Sequence, residues 1–279
     1  MISRQGVLNL LYQPVWVFSI CCAILAGRTA NADEDTLRFC CSYQLSSALM
    51  AERVQSFTKS TGVKVDLIIV SSPMAYRYTI FGASDIGGLA LRGPPPSRAG
   101  CEKFEVIPFC EDGISLIAHA KTAIESIPAR RLRDLFSGEI KNWKELGGMD
   151  LPVVLVLPDR GTGAYRNFER MAMLGSEIAY DVMTKNSTMV IEIVKQLPGS
   201  VSFIGQGATV ALHGIRTIRV NKQLPTDKRY PYRQTYYLVL PLEPRTPAKQ
   251  FVDFVLSEAG TNIMKQRGMV PLPRKVHVP

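Results

Sequence analysis

Histidine is scarce in this chain, which has three among its 279 residues, at positions 119, 213 and 277. They stand far apart, and no spacing of histidines and cysteines typical of a metal site is present, which disfavours a zinc site. The Gly-x-Ser-x-Gly elbow of serine hydrolases is missing, and His119 stands in an apolar segment where we expect it to be packed. We therefore expect no catalytic residue, no metal and no cofactor, and a protein that is not an enzyme.

A basic cluster with interleaved aromatic residues is also absent, although Lys and Arg outnumber Asp and Glu by 33 to 24. Such a cluster is the footprint of nucleic-acid binding, so its absence predicts that nucleic acid is not a partner. The net charge of +9 fits an anionic membrane surface or a small anionic ligand instead.

No apolar run reaches the roughly 20 residues that a membrane-spanning helix needs. Residues 15–26 are almost all apolar; they follow Arg4 and precede the small residues Ala30 and Ala32. This pattern is typical of a secretory signal peptide, with an uncleaved anchor as the alternative. With cleavage near Ala32, residues 1–32 would be removed and the protein would be periplasmic or secreted.

Four cysteines follow the predicted signal peptide. An exported protein meets an oxidising compartment, where disulfides are permitted. Cys101 and Cys110 enclose a short segment, and we predict that they form a disulfide. Cys40 and Cys41 are neighbours, so a strand would point them to opposite faces; neither needs a partner, because buried free thiols are common.

Apolar segments with two different periods alternate along the rest of the chain. The pattern predicts strands at residues 36–41, 63–70, 84–89, 106–109, 114–119, 153–157, 201–204 and 236–240. It predicts helices at residues 45–60, 128–136, 190–196 and 246–260, with further helix starts at residues 71–73 and 159–163. Such alternation predicts an α/β protein.

Two of the predicted helices begin with small polar residues directly after a strand. One start is Ser71-Ser72, and the other is the glycine-rich turn at residues 160–163. A helix N-terminus offers unpaired N–H groups and partial positive charge, which suit an oxyanion. Ordinary helix caps use the same residues, so a purely structural role is the alternative. The turn is not a P-loop, because its glycine spacing differs and no Gly-Lys-Ser follows.

Residues 134–148, Asp-Leu-Phe-Ser-Gly-Glu-Ile-Lys-Asn-Trp-Lys-Glu-Leu-Gly-Gly, resemble the signature of the phosphate-binding proteins that serve bacterial phosphate ABC importers. Residues 82–87 are similar to that family's Asp-Ile-Gly strand, and residues 248–260 with 268–272 resemble its closing helices. The resemblance covers about residues 37–273. It implies the type II periplasmic-binding fold, in which two α/β lobes are joined by two hinge crossovers and close on a ligand.

The resemblance implies residues 33–110 and 236–279 as lobe I and residues 111–235 as lobe II. It also implies an exported, monomeric solute-binding protein that captures phosphate or a related oxyanion in the cleft, with the permease of an ABC importer as its partner. Two alternatives stay open. One is a receptor or sensor of the same fold for another ligand, and the other is a secreted interaction protein whose cleft binds nothing.

The resemblance further implies which residues bind the ligand. Asp85 matches the family's cleft aspartate. It would accept a hydrogen bond from the protonated oxygen that phosphate has and sulfate lacks. The alternative is that Asp85 caps a turn or pairs with a lysine or arginine outside the cleft. Ser71 or Ser72 falls where the family has a serine before the second helix.

Two loops depart from the family's pattern. The family's Ser-Gly-Thr loop matches residues 162–164, where the first hydroxyl is a threonine's and the second is lost. The family's preceding arginine aligns near Pro158, so Arg160 would replace it only from a shifted position. The first loop, glycine-rich in the family, lies at residues 41–44. The full set of expected ligand-binding residues is Ser42, Tyr43, Ser71, Ser72, Asp85, Arg160, Thr162 and Gly163.

Overall fold

The computed structural model of the chain describes residues 35–95, 101–185, 187–209 and 213–273. The predicted signal peptide lies outside these residues. Within them, no helix combines the length and the apolar character that crossing a membrane requires.

Strands and helices alternate, which confirms the α/β prediction. The strands are β1 (Thr36–Ser42), β2 (Lys64–Val70), β3 (Ile86–Leu91), β4 (Phe104–His119), β5 (Ser126–Ile127), β6 (Val154–Pro158), β7 (Val182–Thr184), β8 (Ser200–Gly205), β9 (Ile215–Val220), β10 (Arg233–Pro241) and β11 (Val270–Pro271). The α-helices are α1 (Tyr43–Thr61), α2 (Ser72–Ile80), α3 (Ala129–Phe136), α4 (Gly163–Phe168), α5 (Ser187–Gln196), α6 (Thr246–Leu256) and α7 (Glu258–Gln266). Gly62 ends α1 in the left-handed conformation, at a φ of 76°, as its place in the sequence predicts.

The first lobe is built on the parallel strands β2, β1 and β3, in that order across the sheet. One face carries an apolar core shared by β1, α1, α6 and α7, in which Phe39 and Phe57 pack against Phe251. α2 covers the other face through Ala75, in a cluster with Cys40. Because α1 and α2 begin directly after β1 and β2, both helix N-termini lie at the carboxyl edge of the sheet.

Two strands connect the lobes. β4 pairs with antiparallel β10 over residues 104–113 and with antiparallel β8 over residues 114–118, and β10 also pairs with β3. The sequence predicts two separate strands here. The structure joins them into one, because the intervening polar residues 111–113 continue the pairing with β10. The sheet order β2-β1-β3-β10-β4-β8-β6-β7 is therefore that of a two-lobed α/β fold with two crossovers.

The second lobe continues the sheet with the parallel strands β8, β6 and β7. α3 and α4 pack on one face, where the rings of Phe168 and Phe203 stack with centroids 3.9 Å apart, and α5 covers the other face. One core draws on residues 37–110 and 236–269 and another on residues 114–232. The lobe boundaries near residues 110 and 236 stay a prediction, with which these two cores are consistent.

The segment that carries the family resemblance has a structural role in the second lobe. Trp143 is fully buried there, and its indole N–H donates to the carbonyl of Gly199 at 2.7 Å. Asn142 caps the turn that holds Trp143, and Glu145 completes the capping box. These residues hold the lobe together and form none of the cleft contacts described below.

Cys110 is a free, buried thiol, so the predicted disulfide between Cys101 and Cys110 is wrong. β4 begins at Phe104 and runs extended through Cys110, which places this thiol about 20 Å along the strand. A bridge would require the chain to fold back over that distance. Cys40 and Cys41 are also free, and they lie in cores on opposite faces of β1, as predicted.

Candidate functional site

Helix N-termini from both lobes face the cleft between them. In the first lobe, Ser42 caps α1, and its Oγ accepts a hydrogen bond from the backbone N–H of Leu45 at 3.2 Å. In the second lobe, Thr162 caps α4, which starts after β6 and continues into a π-helical turn at Glu169–Met173. The hydroxyl oxygen of Thr162 accepts a hydrogen bond from the backbone N–H of Tyr165 at 3.2 Å. Such ends carry unpaired N–H groups and partial positive charge.

Ala90, near the carboxyl end of β3, links the N-termini of α2 and α4. Its backbone N–H donates to Ser72 Oγ at 3.1 Å, and its carbonyl oxygen lies 3.4 Å from Asn167 Nδ2 of α4. The N-terminus of α4 also touches that of α1, because a Cβ atom placed on Gly163 would lie only 2.8 Å from Gln44 Oε1. Three helix N-termini therefore meet in one place. We refer to the residues that meet here as the cleft group: Gln44, Ser72, Ala90, Thr162, Gly163 and Asn167.

Gln44 stands out in the cleft group because its side chain is buried without a partner. It is 3% exposed, and neither Nε2 nor Oε1 has a hydrogen-bond partner among the described residues. A buried polar group left unpaired costs about 1–3 kcal/mol. A ligand that both accepts from Nε2 and donates to Oε1 would remove that cost.

A buried polar network lies behind the cleft group, on the two strands that connect the lobes. Asn167 Nδ2 donates to Gln234 Oε1 at 2.8 Å, and Gln234 Nε2 lies 3.4 Å from Asp112 Oδ2. Tyr236 donates its hydroxyl to the same carboxylate oxygen at 2.7 Å. The network thus ties α4 of the second lobe to β4 and β10.

Asp112 is the carboxylic acid of this network. Its carboxylate is fully buried, and burial raises its pKa to about 6. Hydrogen bonds from Tyr236, the backbone N–H of Gly207 and Gln234, together with the charge of Arg233, oppose that rise without cancelling it. The carboxylate therefore titrates close to neutral pH.

The structure brings four of the predicted ligand-binding residues to the cleft: Ser42, Ser72, Thr162 and Gly163 are all buried there. Ser71 is the residue that caps α2, but its side chain makes no capping hydrogen bond. Tyr43 begins α1 and is 37% exposed. The binding role of these residues stays a prediction.

The assignment of Asp85 to the cleft is wrong. Asp85 precedes β3, at the amino edge of the sheet, whereas the helix N-termini lie at the carboxyl edge. Its carboxylate is bound by Arg38, with Nη2 at 2.7 Å, and by Arg245, with Nη1 at 3.0 Å. Burial acts to raise its pKa, but the bonds from Arg38 and the charges of both arginines outweigh it and hold the pKa below the usual value. The residue of β3 that does reach the cleft is Ala90.

Among the described residues, the guanidinium of Arg160 forms no hydrogen bond with the cleft group. Its guanidinium carbon lies 5.9 Å from the ring centroid of Tyr180, just before the amino end of β7. None of the six residues of the cleft group is cationic. The positive potential at this point comes from helix ends and neutral N–H donors.

Sequence reasoning missed Gln44, Asn167 and Asp112. Asn167 carried a usable signal, because it follows Gly163 by four residues and so lies on the same side of the helix. A glutamine in the first turn of a helix has no distinctive signal. Asp112 lies in the short polar stretch that separated two predicted strands, which a linear pattern assigns to a loop.

Comparison with known proteins identifies relatives that share this architecture. A family model described as a PBP superfamily domain matches residues 27–259. The phosphate-binding protein PstS of Bacillus subtilis (strain 168) is 25% identical over 168 residues, which are 57% of this chain and 55% of that protein. PstS of Borreliella burgdorferi is 25% identical over 178 residues, 58% of this chain and 64% of that protein. The matches thus span less than two thirds of these relatives' lengths.

A solved structure shares the whole fold. It is that of a candidate phosphate ABC transporter substrate-binding protein from Clostridium perfringens, with bound phosphate. The TM-score is 0.74 at 21% identity, and the superposition covers 85% of this chain and 99% of that one. This likeness shows the two-lobed fold and does not by itself assign a ligand.

Proposed function

The chain belongs to the PBP superfamily, and on that premise we propose that it is a solute-binding protein that captures phosphate or a related oxyanion between its lobes. One observation carries the proposal: the unpartnered amide of Gln44 lies where three helix N-termini from both lobes meet. The phosphate-binding names of its relatives support the choice of anion.

The hydrogen-bond donors of this site are compatible with micromolar affinity for phosphate. A phosphate that leaves water must exchange its hydration for hydrogen bonds, each of which contributes about 1.5–3 kcal/mol net when one group is charged. Micromolar affinity needs about 8 kcal/mol in total, after the costs of ordering the ligand and closing the lobes. Gln44 Nε2 and the free backbone N–H groups of the helix ends are the donors that would supply it. The Ser72 hydroxyl could turn to a ligand from the Ala90 carbonyl, which lies 3.4 Å away, whereas the Thr162 hydroxyl already donates to the carbonyl of Asp159 at 2.8 Å.

We further propose the wider role that the relatives suggest. The protein would be exported after cleavage near Ala32, would act as a monomer, and would deliver its ligand to the permease of an ABC importer. Capture and release require no covalent step, so we propose a binding protein and not an enzyme.

A second candidate is a receptor of the same fold for another ligand. The neutral character of the cleft group favours it, because the arginine aligned near Pro158 is lost and Arg160 lies over Tyr180. A solute with less charge and more hydroxyl groups would suit such a site better than a dianion.

Calorimetric titration tests both candidates. The protein would be unfolded and refolded to strip any bound ligand, then titrated with phosphate, arsenate, sulfate and molybdate. We expect phosphate to bind with a Kd of about 1 μM or lower. Binding of another anion in preference to phosphate would favour the second candidate. Heat from none of them would refute oxyanion capture and favour either a receptor for a less charged solute or an interaction protein whose cleft binds nothing.

A further inference from the structure

Asp112 faces the same small space as the unpartnered amide of the cleft group. A Cβ atom placed on Gly205, at the carboxyl end of β8, would lie 2.7 Å from Asp112 Oδ2, 3.1 Å from the Tyr236 hydroxyl and 3.3 Å from Gln44 Nε2. A side chain at this position would collide with these groups, so Gly205 allows all three to pack close together. Asp112 is therefore a neighbour of any anion that Gln44 binds.

Only neutral groups solvate the Asp112 carboxylate. Oδ2 accepts from Tyr236 at 2.7 Å, Oδ1 accepts from the N–H of Gly207 at 3.1 Å, and Gln234 Nε2 is more distant at 3.4 Å. Among the described residues, no salt bridge to this carboxylate is formed. A negative charge on it is stabilised by hydrogen bonds alone.

The cations of the surrounding elements have other partners. Arg233 of β10 pairs with Glu111 of β4 at 3.1 Å. Arg267, after α7, donates to the carbonyl of Gly207 at 2.9 Å and pairs with Glu52 of α1 at 3.1 Å. The remaining titratable groups around Asp112 are Tyr236, Cys110 and Arg53: burial raises the pKa of Tyr236 and Cys110, and Arg53 donates to the carbonyl of Gly260.

An oxyanion in this cleft would meet a second negative charge in a desolvated site. Like charges at short distance raise the pKa of the weaker acid, and burial already places the pKa of Asp112 at about 6. Protonation would remove the repulsion and turn one carboxylate oxygen from an acceptor into a donor that can face the anion. The proton comes from solvent, and no other bond forms or breaks.

We infer that ligand capture is linked to protonation: when an oxyanion enters the cleft, the Asp112 carboxylate takes up a proton. This inference rests on the proposed function, since it requires an anion in the cleft. It assigns to Asp112 the role of a group that senses the charge of the ligand.

Calorimetry in buffers with different ionisation enthalpies measures this linkage. Phosphate would be titrated into the stripped protein at pH 7, and the dependence of the binding enthalpy on the buffer gives the protons taken up per anion. Compared with wild type, Asp112→Asn should take up about one proton fewer. Phosphate can take up this proton in place of Asp112, and the carboxyl band in infrared difference spectra distinguishes a proton on Asp112 from one on the anion. The control Asp150→Asn changes an exposed carboxylate of the second lobe and should match wild type.

The outcomes separate the two hypotheses. If wild type binds no anion, both the proposed function and this inference fail. If wild type and Asp112→Asn bind phosphate with equal proton uptake, only this inference is refuted. Should Asp112→Asn not fold, infrared difference spectroscopy of wild type decides. A protonated carboxyl band that appears on adding phosphate supports the inference, and an unchanged carboxyl region overturns it.

Discussion

Gln44 is the side chain on which the cleft depends most directly. Replacing it by alanine removes one hydrogen bond to a charged ligand, which contributes about 1.5–3 kcal/mol, so Gln44→Ala should weaken phosphate binding by about 10- to 150-fold. Thermal stability should hold, because the amide has no partner to lose. Gln55→Ala is the matched control, since Gln55 is an exposed glutamine of the same helix. A Gln44→Ala variant with wild-type affinity would remove this residue from the site.

Asp85 is expected to act on stability and not on the ligand. Asp85→Asn removes the carboxylate that binds Arg38 and Arg245, whose side chains are about a third exposed. Because solvent screens both arginines, we expect a loss of about 2 kcal/mol in the free energy of unfolding. Phosphate affinity should be unchanged. Denaturant unfolding measures the stability, and calorimetry measures the phosphate affinity. A large change in affinity with intact stability would return Asp85 to the binding site.

Because the pKa of Asp112 is raised on folding, we expect this residue to make the folded protein less stable as the pH rises. The pKa of Asp112 is raised to about 6 in the folded protein. Its contribution to the free energy of unfolding is therefore fully present below the pKa that it has in the unfolded chain, and is lost as the pH rises through the folded pKa. Between pH 4 and pH 7, wild type should lose up to about 3 kcal/mol relative to Asp112→Asn. Unfolding curves of both proteins across this range measure the difference, and parallel pH profiles would contradict the raised pKa.

At the scale of elements, the N-terminus of α4 approaches the first lobe through a glycine. A side chain at Gly163 would press on Gln44 Oε1 and on the carbonyl of Ala90, at 2.8 and 3.2 Å. Gly163→Ala should therefore hinder closure of the cleft and weaken phosphate binding about tenfold or more, while each lobe stays folded. Gly161→Ala is the control in the same loop, because its Cβ would meet only Asp159. Equal affinities for the two variants would show that α4 does not close on this point.

Elements with strong local signals could be predicted from the sequence, and those defined by distant partners could not. α1 and α2 have a left-handed glycine and a proline at their ends, and their predicted positions agree with the structure. The sequence predicts two strands in place of β4, because residues 111–113 are polar. In the structure these residues belong to β4, at the point where the strand crosses between the lobes. β7 and β9 are short strands fixed by their neighbours in the sheet.

The site was harder to predict than the fold for a related reason. A motif such as Asp-Ile-Gly identifies a strand but not which of its ends faces the ligand. Asp85 and Ala90 stand at opposite ends of β3, so an alignment by motif selects the aspartate while the structure selects the alanine. Asn167, Gln234 and Asp112 come together only because α4 meets the crossing strands.

At the scale of the whole molecule, the residues that give the chain its net positive charge lie outside the cleft group. The chain has a net charge of +9, yet no member of the cleft group is cationic. A net positive charge favours the approach of anions, and under the proposed function the neutral donors of the cleft would hold them. Among the described residues, β4 and β10 run between the two cores, and under the proposed function they would act as the hinge on which the lobes close.

An NMR titration tests the central claim, that an oxyanion binds where the three helix N-termini meet. Phosphate would be added to ligand-stripped, ¹⁵N-labelled protein while backbone and side-chain amide resonances are followed. We expect saturable shifts of the backbone amides of Gln44, Ser72 and Gly163, together with the side-chain NH₂ of Gln44. Spectra that do not change, or shifts confined to residues outside the cleft such as Lys141 and Tyr180, would contradict it.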